Sequence, residues 1–316
     1  MTLLTRMGAA LAASARFSAV PKERVAAYWD ANREKAKDPA FWMAHPLCRS
    51  AINRRVTGSA NEWPLDWLKR TQVPVPFERG VSWGCGPGTF ERSAVRSGIV
   101  REVDAFDIAP ETLADAQRLA HEEGLSGIHY ALGDFDAPKI RKGAYDIVFF
   151  HQSLHHVSRL ERLFRALSKA LREGAAVYVD EYVGPSRGDW RIEQMEKARR
   201  VLQRLPLRAR VPKKIEVPIE EHDPSEAIRS SEIAKFLRAS ADMSEWKPYG
   251  GQIASLVFPY LAPEWAGSEE SAHEIAAMLA MEEEELAADP SSTHYLVAYG
   301  RWKAPSELGS RRTSRR

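Results

Sequence analysis

The chain has 316 residues, 44% of them apolar and 28% charged, with 45 basic against 43 acidic side chains. That balance excludes a disordered chain and leaves room for two domains or one enlarged one. Four positives lie in the tail, at Arg311, Arg312, Arg315 and Arg316, so the body is slightly acidic and a globally basic nucleic-acid binder is excluded.

The two cysteines, Cys48 and Cys85, make neither a disulfide framework nor a paired zinc spacing, which fits a reducing, cytoplasmic setting. No apolar run reaches the ~18 residues a membrane span needs. Residues 1–13 are apolar but interrupted by Arg6, and read as a docking helix rather than a signal peptide. Residues 22–45 read as helical, anchored by Val25, Tyr28, Trp29, Phe41 and Trp42. Residues 61–75 mix prolines with Trp63, Leu65, Trp67 and Leu68, the composition of a packed connector. From Gly80 the pattern changes. Strands are expected at 81–83, 103–108, 128–132, 146–150 and 176–182, with helices from about 89, from Pro110 and over 158–171. Strands alternating with helices indicate parallel β-α-β winding. Beyond Tyr182 come a basic helix at 188–204, a Pro-rich link at 205–224 and a helix at 225–239. A strand at 246–252, a helical stretch at 268–288 and a last strand at 294–302 complete the pattern.

The strongest motif is Gly84-Cys85-Gly86-Pro87-Gly88, between a strand and a helix. Glycines there allow a tight turn and bring a ligand close to the N–H groups of a helix start. Thr89 occupies the place of the third glycine of a dinucleotide fingerprint, which argues against a nicotinamide-dependent oxidoreductase. Asp107 closes the second strand, where a carboxylate can accept two ribose hydroxyls. Asp134 and Phe135 follow the third strand, as an acceptor for an adenine amino group and a cover for its ring.

Together these residues resemble the class I S-adenosylmethionine-dependent methyltransferases. The resemblance runs from Gly80 to Tyr182 and through Asp107-Ile108, Gly133-Asp134-Phe135, Tyr145-Asp146-Ile147-Val148, His151-Gln152-Ser153-Leu154-His155-His156-Val157 and the turn at Leu171-Arg172-Glu173-Gly174. It implies an α/β, Rossmann-like, seven-stranded, mostly parallel sheet with its last strand antiparallel, plus a helical N-terminal cap and helical insertions. S-adenosylmethionine would then meet Gly84, Cys85, Gly86, Gly88, Asp107, Ile108, Asp134, Phe135 and His151. Ser82 replaces the acid that the family often has before the first glycine. The segments 180–187 and 223–227 resemble a bacterial subgroup of these enzymes and imply no acceptor.

Methyl transfer to a hydroxyl needs the proton removed, a task suited to an imidazole. His151, His155 and His156, at the end of the fourth strand, are the candidate catalytic bases. Asp180, Glu181 and Tyr182 end the fifth strand on the same side, and His222 and Asp223 reach in from the insertion as weaker candidates. No tight carboxylate cluster suggests a metal; one is not excluded, but none is expected. Tyr28, Trp29, Glu181, Tyr182 and Arg204 are the expected acceptor contacts. The stretch 197–214 carries eight bases and no acid, which leaves an anionic acceptor open. Expected domains are a helical cap at 1–75, a catalytic domain at 76–303 with inserts at 184–245 and 253–290, and a flexible basic tail at 304–316. The expected reaction is methylation of a small-molecule acceptor at a hydroxyl of a sugar or secondary metabolite, with no nucleic-acid or membrane partner. N- or C-methylation and a non-catalytic S-adenosylmethionine-binding module remain alternatives, and the oligomeric state is left open.

Overall fold

A computed structural model describes residues 21–32, 41–71, 75–218, 220 and 222–303. The expectations for 1–13, for 304–316 and for the 33–40 part of the first helical reading lie outside these residues. Three helices precede the sheet: α1 (Lys22–Ala31), α2 (Pro46–Thr57) and α3 (Pro64–Thr71). The reading of 22–45 as helical gives way after Ala31, and α2 is an element the sequence reading did not name. Its signals are local. Pro46 opens it, Gly58 closes it at φ 86°, and Cys48, Ile52 and Val56 form one buried stripe. The 61–75 connector is largely α3, with Trp67 and Leu68 buried.

The core alternates strand and helix: β1 (Phe77–Trp83), α4 (Thr89–Arg96), β2 (Val100–Asp107), α5 (Pro110–Glu122), β3 (Ile128–Leu132) and β4 (Tyr145–His151). There follow α6 (Leu160–Ala170), β5 (Leu171–Tyr182), α7 (Ile192–Arg204), α8 (Ser230–Ser240), β6 (Ala241–Gly250), α9 (Ser271–Ala288) and β7 (Tyr295–Trp302). The sheet order is β3-β2-β1-β4-β5-β7-β6. β1 to β5 pair in parallel, and β7 runs antiparallel between β5 and β6. This is the Rossmann-like sheet that the motifs implied. β6 starts at Ala241, inside the expected 184–245 insert, because the polar start of this edge strand carries little apolar signal.

β4 is central, and Ile147, Val148, Phe149 and Phe150 are fully buried on both faces. One face packs on α2, α4, α5, α7 and α9, the other on α6 and α8. On α6 the stripe Leu160, Leu163, Phe164 and Leu167 is sealed against the sheet. Parallel strands bring the ends of β1, β2, β3, β4 and β5 to one edge, where their loops meet.

A buried ion pair ties the inserted segment to this edge. Arg229, just before α8, holds both oxygens of Glu161 at 2.8 Å and the Ser158 carbonyl at 3.1 Å. The two side chains are 5% and 1% exposed. Arg229→Met strands the Glu161 carboxylate, so it should lower stability by roughly 3–5 kcal/mol in urea unfolding at neutral pH. A change within experimental error would show that the pair does not anchor the insert.

Candidate active site

All three glycines of the loop adopt left-handed backbone, with φ of 68° at Gly84, 51° at Gly86 and 70° at Gly88. A side chain at Gly84 would strike Ser153 at 2.6 Å and Phe135 at 2.8 Å. One at Gly88 would strike the Tyr130 hydroxyl at 2.2 Å. Conformation therefore favours glycine at all three positions, and close approach adds to this at Gly84 and Gly88. Cys85 is buried between them, and burial pushes its thiol pKa well up, so the thiol stays protonated.

Asp107 pins this loop. One carboxylate oxygen accepts the Gly86 N–H at 2.8 Å and the other the Ala109 N–H at 3.0 Å, just before α5. Each oxygen keeps a second lone pair for a further donor. Ile108, the next residue, is half-buried. Asp134 accepts the Asp136 N–H at 2.8 Å on one oxygen and pairs with Lys22 of α1 through the other. The oxygen expected to receive an adenine amino group thus faces an ammonium instead. Phe135 lies 5.8 Å from Trp83 and closes over Gly84.

Helix α1 crosses the loops at this edge. Its Asp30 accepts the Thr112 N–H at 2.8 Å and so caps the first turn of α5. Tyr28 donates to Glu220 at 2.9 Å, and Trp29 sets its edge against His156 with ring centroids 5.2 Å apart.

The three histidines occupy two settings. His151 has a side chain 42% exposed, stacks on Phe90 at 4.8 Å and lies 3.9 Å from Asp180 Oδ2. Asp180 Oδ1 accepts from the Tyr249 hydroxyl at 2.7 Å and from Gln152 at 3.0 Å. His155 and His156 are almost enclosed, with side chains 8% and 9% exposed. Glu181 meets His155 Nδ1 and also accepts the N–H groups of Ser153 at 2.8 Å, Leu154 at 2.7 Å and Tyr182 at 3.0 Å. Burial works to lower the His155 pKa, but Glu181, with help from Glu226 and Asp223, raises it to about 9. His156 is shifted down, by burial and then by its neighbour His155.

Two expected acceptor contacts are turned inward. Glu181 is fully buried and engaged with backbone and His155, so it positions the turn after β4. Tyr182 is buried and donates to the Pro185 carbonyl at 3.0 Å. Arg204 is exposed in the last turn of α7. Of the basic run, Lys197 pairs with Glu285, Arg208 with Glu270, and Arg199 bonds the Ile215 carbonyl at 2.8 Å. His222 is exposed, whereas Asp223 is buried 3.4 Å from His156 Nδ1.

The sequence reading did not join Glu226 to the histidines. Glu226 Oε1 lies 3.8 Å from His155 Nε2 and Oε2 lies 3.9 Å from His156 Nε2. It sits in the 223–227 segment singled out above, but no spacing rule links positions seventy residues apart. Glu91 was also missed. It is buried in the first turn of α4 and accepts from Ser82, at the position where an acid was expected.

Residues 81–179 match the family of methyltransferase domains. The match covers the strand-and-loop region that carries the glycine turn, Asp107 and the histidines. The chain carries a class I S-adenosylmethionine-dependent methyltransferase domain. It is 26% identical to the ubiquinone biosynthesis O-methyltransferase of Burkholderia thailandensis over 183 residues, 56% of this chain and 68% of that one. It is 30% identical to phosphoethanolamine N-methyltransferase 2 of Caenorhabditis elegans over 118 residues, 37% of this chain and 27% of that one. A solved structure of the Haemonchus contortus phosphoethanolamine N-methyltransferase 2 with S-adenosyl-L-methionine superposes with a TM-score of 0.49 at 15% identity, over 87% of this chain and 60% of that one. The methyltransferase uses S-adenosylmethionine, and the left-handed glycine turn before α4 fits such a ligand. No described helix is long and apolar enough to cross a membrane.

Glu91 makes stability depend on pH. Burial raises its pKa to about 7 against an ordinary value of 4.5, opposed by the Ser82 hydrogen bond. A carboxyl raised in the folded state favours folding when protonated, and that advantage is lost as pH rises from 4.5 through 7. Glu91→Gln should therefore stabilise the methyltransferase at pH 8, by up to about 3 kcal/mol, and change little at pH 4.5. Thermal melts at both values check this; equal shifts at both would show that Glu91 is not held neutral by burial.

Proposed function

We propose that this methyltransferase acts on the hydroxyl of a small molecule, a sugar or secondary metabolite, with His151 as general base. The observation that carries this is the half-exposed His151 ring, held between Phe90, in the first turn after the glycine loop, and Asp180 at the end of β5. His155 and His156 are enclosed and turned to carboxylates, which leaves His151 as the imidazole an acceptor can reach. The ubiquinone biosynthesis O-methyltransferases among the relatives support a hydroxyl acceptor.

S-adenosylmethionine supplies an electrophilic methyl group on a sulfonium. The glycine turn before α4 would hold its amino-acid end by close backbone approach, since the N–H groups of Gly84, Cys85, Gly86 and Gly88 are already bonded within the protein. The remaining lone pairs of Asp107 would accept the ribose hydroxyls, with Ile108 lining that wall. Asp134 and Phe135 would hold the adenine, with Lys22 displaced from the carboxylate. Tyr28 and Trp29 of α1 cover the acceptor. His151 takes the hydroxyl proton as the new bond forms, and Asp180 stabilises the resulting imidazolium. Tyr249 and Gln152 fix the Asp180 carboxylate, so little reorganisation is needed as the charge develops.

Calorimetry should show binding of S-adenosylmethionine and S-adenosylhomocysteine but not of NAD; the reverse would overturn the reading. Asp107→Ala should weaken S-adenosylhomocysteine binding, because it removes the ribose acceptor and unpins the loop. With a panel of phenol, sugar and amine acceptors, His151→Ala should slow S-adenosylhomocysteine formation by roughly 10²- to 10⁴-fold while leaving its affinity unchanged. Full activity in that variant would remove His151 from the chemistry, and turnover restricted to amines would remove the hydroxyl.

A further inference from the structure

We propose that His155, His156 and Glu226 form a binding site for one divalent transition-metal ion of the zinc or cobalt class. One ligand atom from each of these residues lies within 4.8 Å of the others. The Glu226 oxygens are 3.8 Å from His155 Nε2 and 3.9 Å from His156 Nε2. These gaps are too long for hydrogen bonds. They suit ligands that share an ion: with each bond at about 2.0–2.1 Å, donors on one ion lie roughly 3–4 Å apart.

The rings are already oriented for this. His155 Nδ1 is engaged by Glu181, which the N–H groups of Ser153, Leu154 and Tyr182 hold in place. His156 Nδ1 faces Ser225 Oγ at 3.1 Å and Asp223 Oδ2 at 3.4 Å. The Nε2 atoms of both rings are the nitrogens nearest Glu226, and a bound ion would displace the proton that Glu181 favours on His155. A carboxylate behind each metal-binding imidazole is the arrangement that fixes tautomer and raises ligand basicity. Asp223 is held in turn by the Ser225 N–H at 2.8 Å, and its Oδ2 is buried without a hydrogen-bond partner.

Charge points the same way. Glu181, Asp223 and Glu226 surround two imidazoles that Trp29 and Tyr182 flank. The nearby Arg187 is directed to the backbone carbonyls of Glu220 and Asp223 rather than to these carboxylates. His155 can balance Glu181 alone, and a bound cation would offset the charge of Asp223 and Glu226. Two imidazoles and one carboxylate favour a borderline ion over magnesium or calcium, which prefer all-oxygen sites. Three protein ligands leave open positions. The metal site does not depend on the hydroxyl reading above, in which the acceptor meets His151.

The test uses tag-free full-length protein, freed of metal by a chelator and titrated with Co²⁺ or Zn²⁺ alone. One ion per chain is expected, with a visible Co²⁺ absorption typical of nitrogen and oxygen ligands, and with Mg²⁺ binding much more weakly. Glu226→Gln should abolish or sharply weaken binding. Asp223→Asn, which touches only the ring behind the site, should weaken it by roughly 10- to 100-fold. Circular dichroism confirms that each variant is folded, and if one is not, the other decides. Absence of binding at millimolar Co²⁺, equal affinity for Mg²⁺, or unchanged affinity in the folded variants would overturn the proposal. Neither methyl donor nor acceptor is present, so failure here leaves the methyl-transfer reading intact, and failure of that reading leaves this one testable.

Discussion

The Glu181 carboxylate is the constraint on which this edge of the sheet depends. It is fully buried at the end of β5, where an uncompensated charge would cost several kcal/mol. The turn after β4 therefore folds onto it, donating the N–H groups of Ser153 and Leu154 and the ring of His155. Once that turn is placed, Ser153 lies against Gly84, so the glycine loop and the histidine turn are set by one another. His151, one strand position earlier, is left at the rim beside Asp180.

The added segments complete what the sheet begins. Helix α1 reaches across the loops through Asp30, Lys22 and Trp29, each joined to the end of a different strand or its following helix. The segment before α8 is locked by Arg229 on Glu161 and brings Asp223, Ser225 and Glu226 beside the histidines. The sheet supplies a geometry shared by its class, while these two segments supply side chains particular to this chain. Selectivity in such folds resides in the loops for that reason.

Much of this was legible in the residues. The alternation of strand and helix and the buried run at β4 follow from periodicity, which depends on neighbours only a few positions apart. The glycine turn was legible because left-handed backbone favours glycine. The start of β6 was missed because an edge strand need not be apolar, and α2 because its caps were not read as such. Glu181 and Tyr182 were expected to face an acceptor. Their position at a strand end was right, but alternation along a strand does not say which polar side chain will be drawn into a buried network. The match to methyltransferase domains covers the legible stretch, 81–179, and not the segments on either side.

The sequence by itself determined the class of fold and the cofactor, because each is encoded in short motifs whose physics is local. Only the tertiary structure decided which acids meet which histidines. Glu226 and Asp223 lie seventy and sixty-seven residues from their partners at 156, and Lys22 lies still farther from Asp134. Such pairings are selected by the cost of burying charge and by the path of the chain, neither of which leaves a mark in residue spacing. The nearly cancelling net charge of the chain conceals a local excess of carboxylates around two imidazoles.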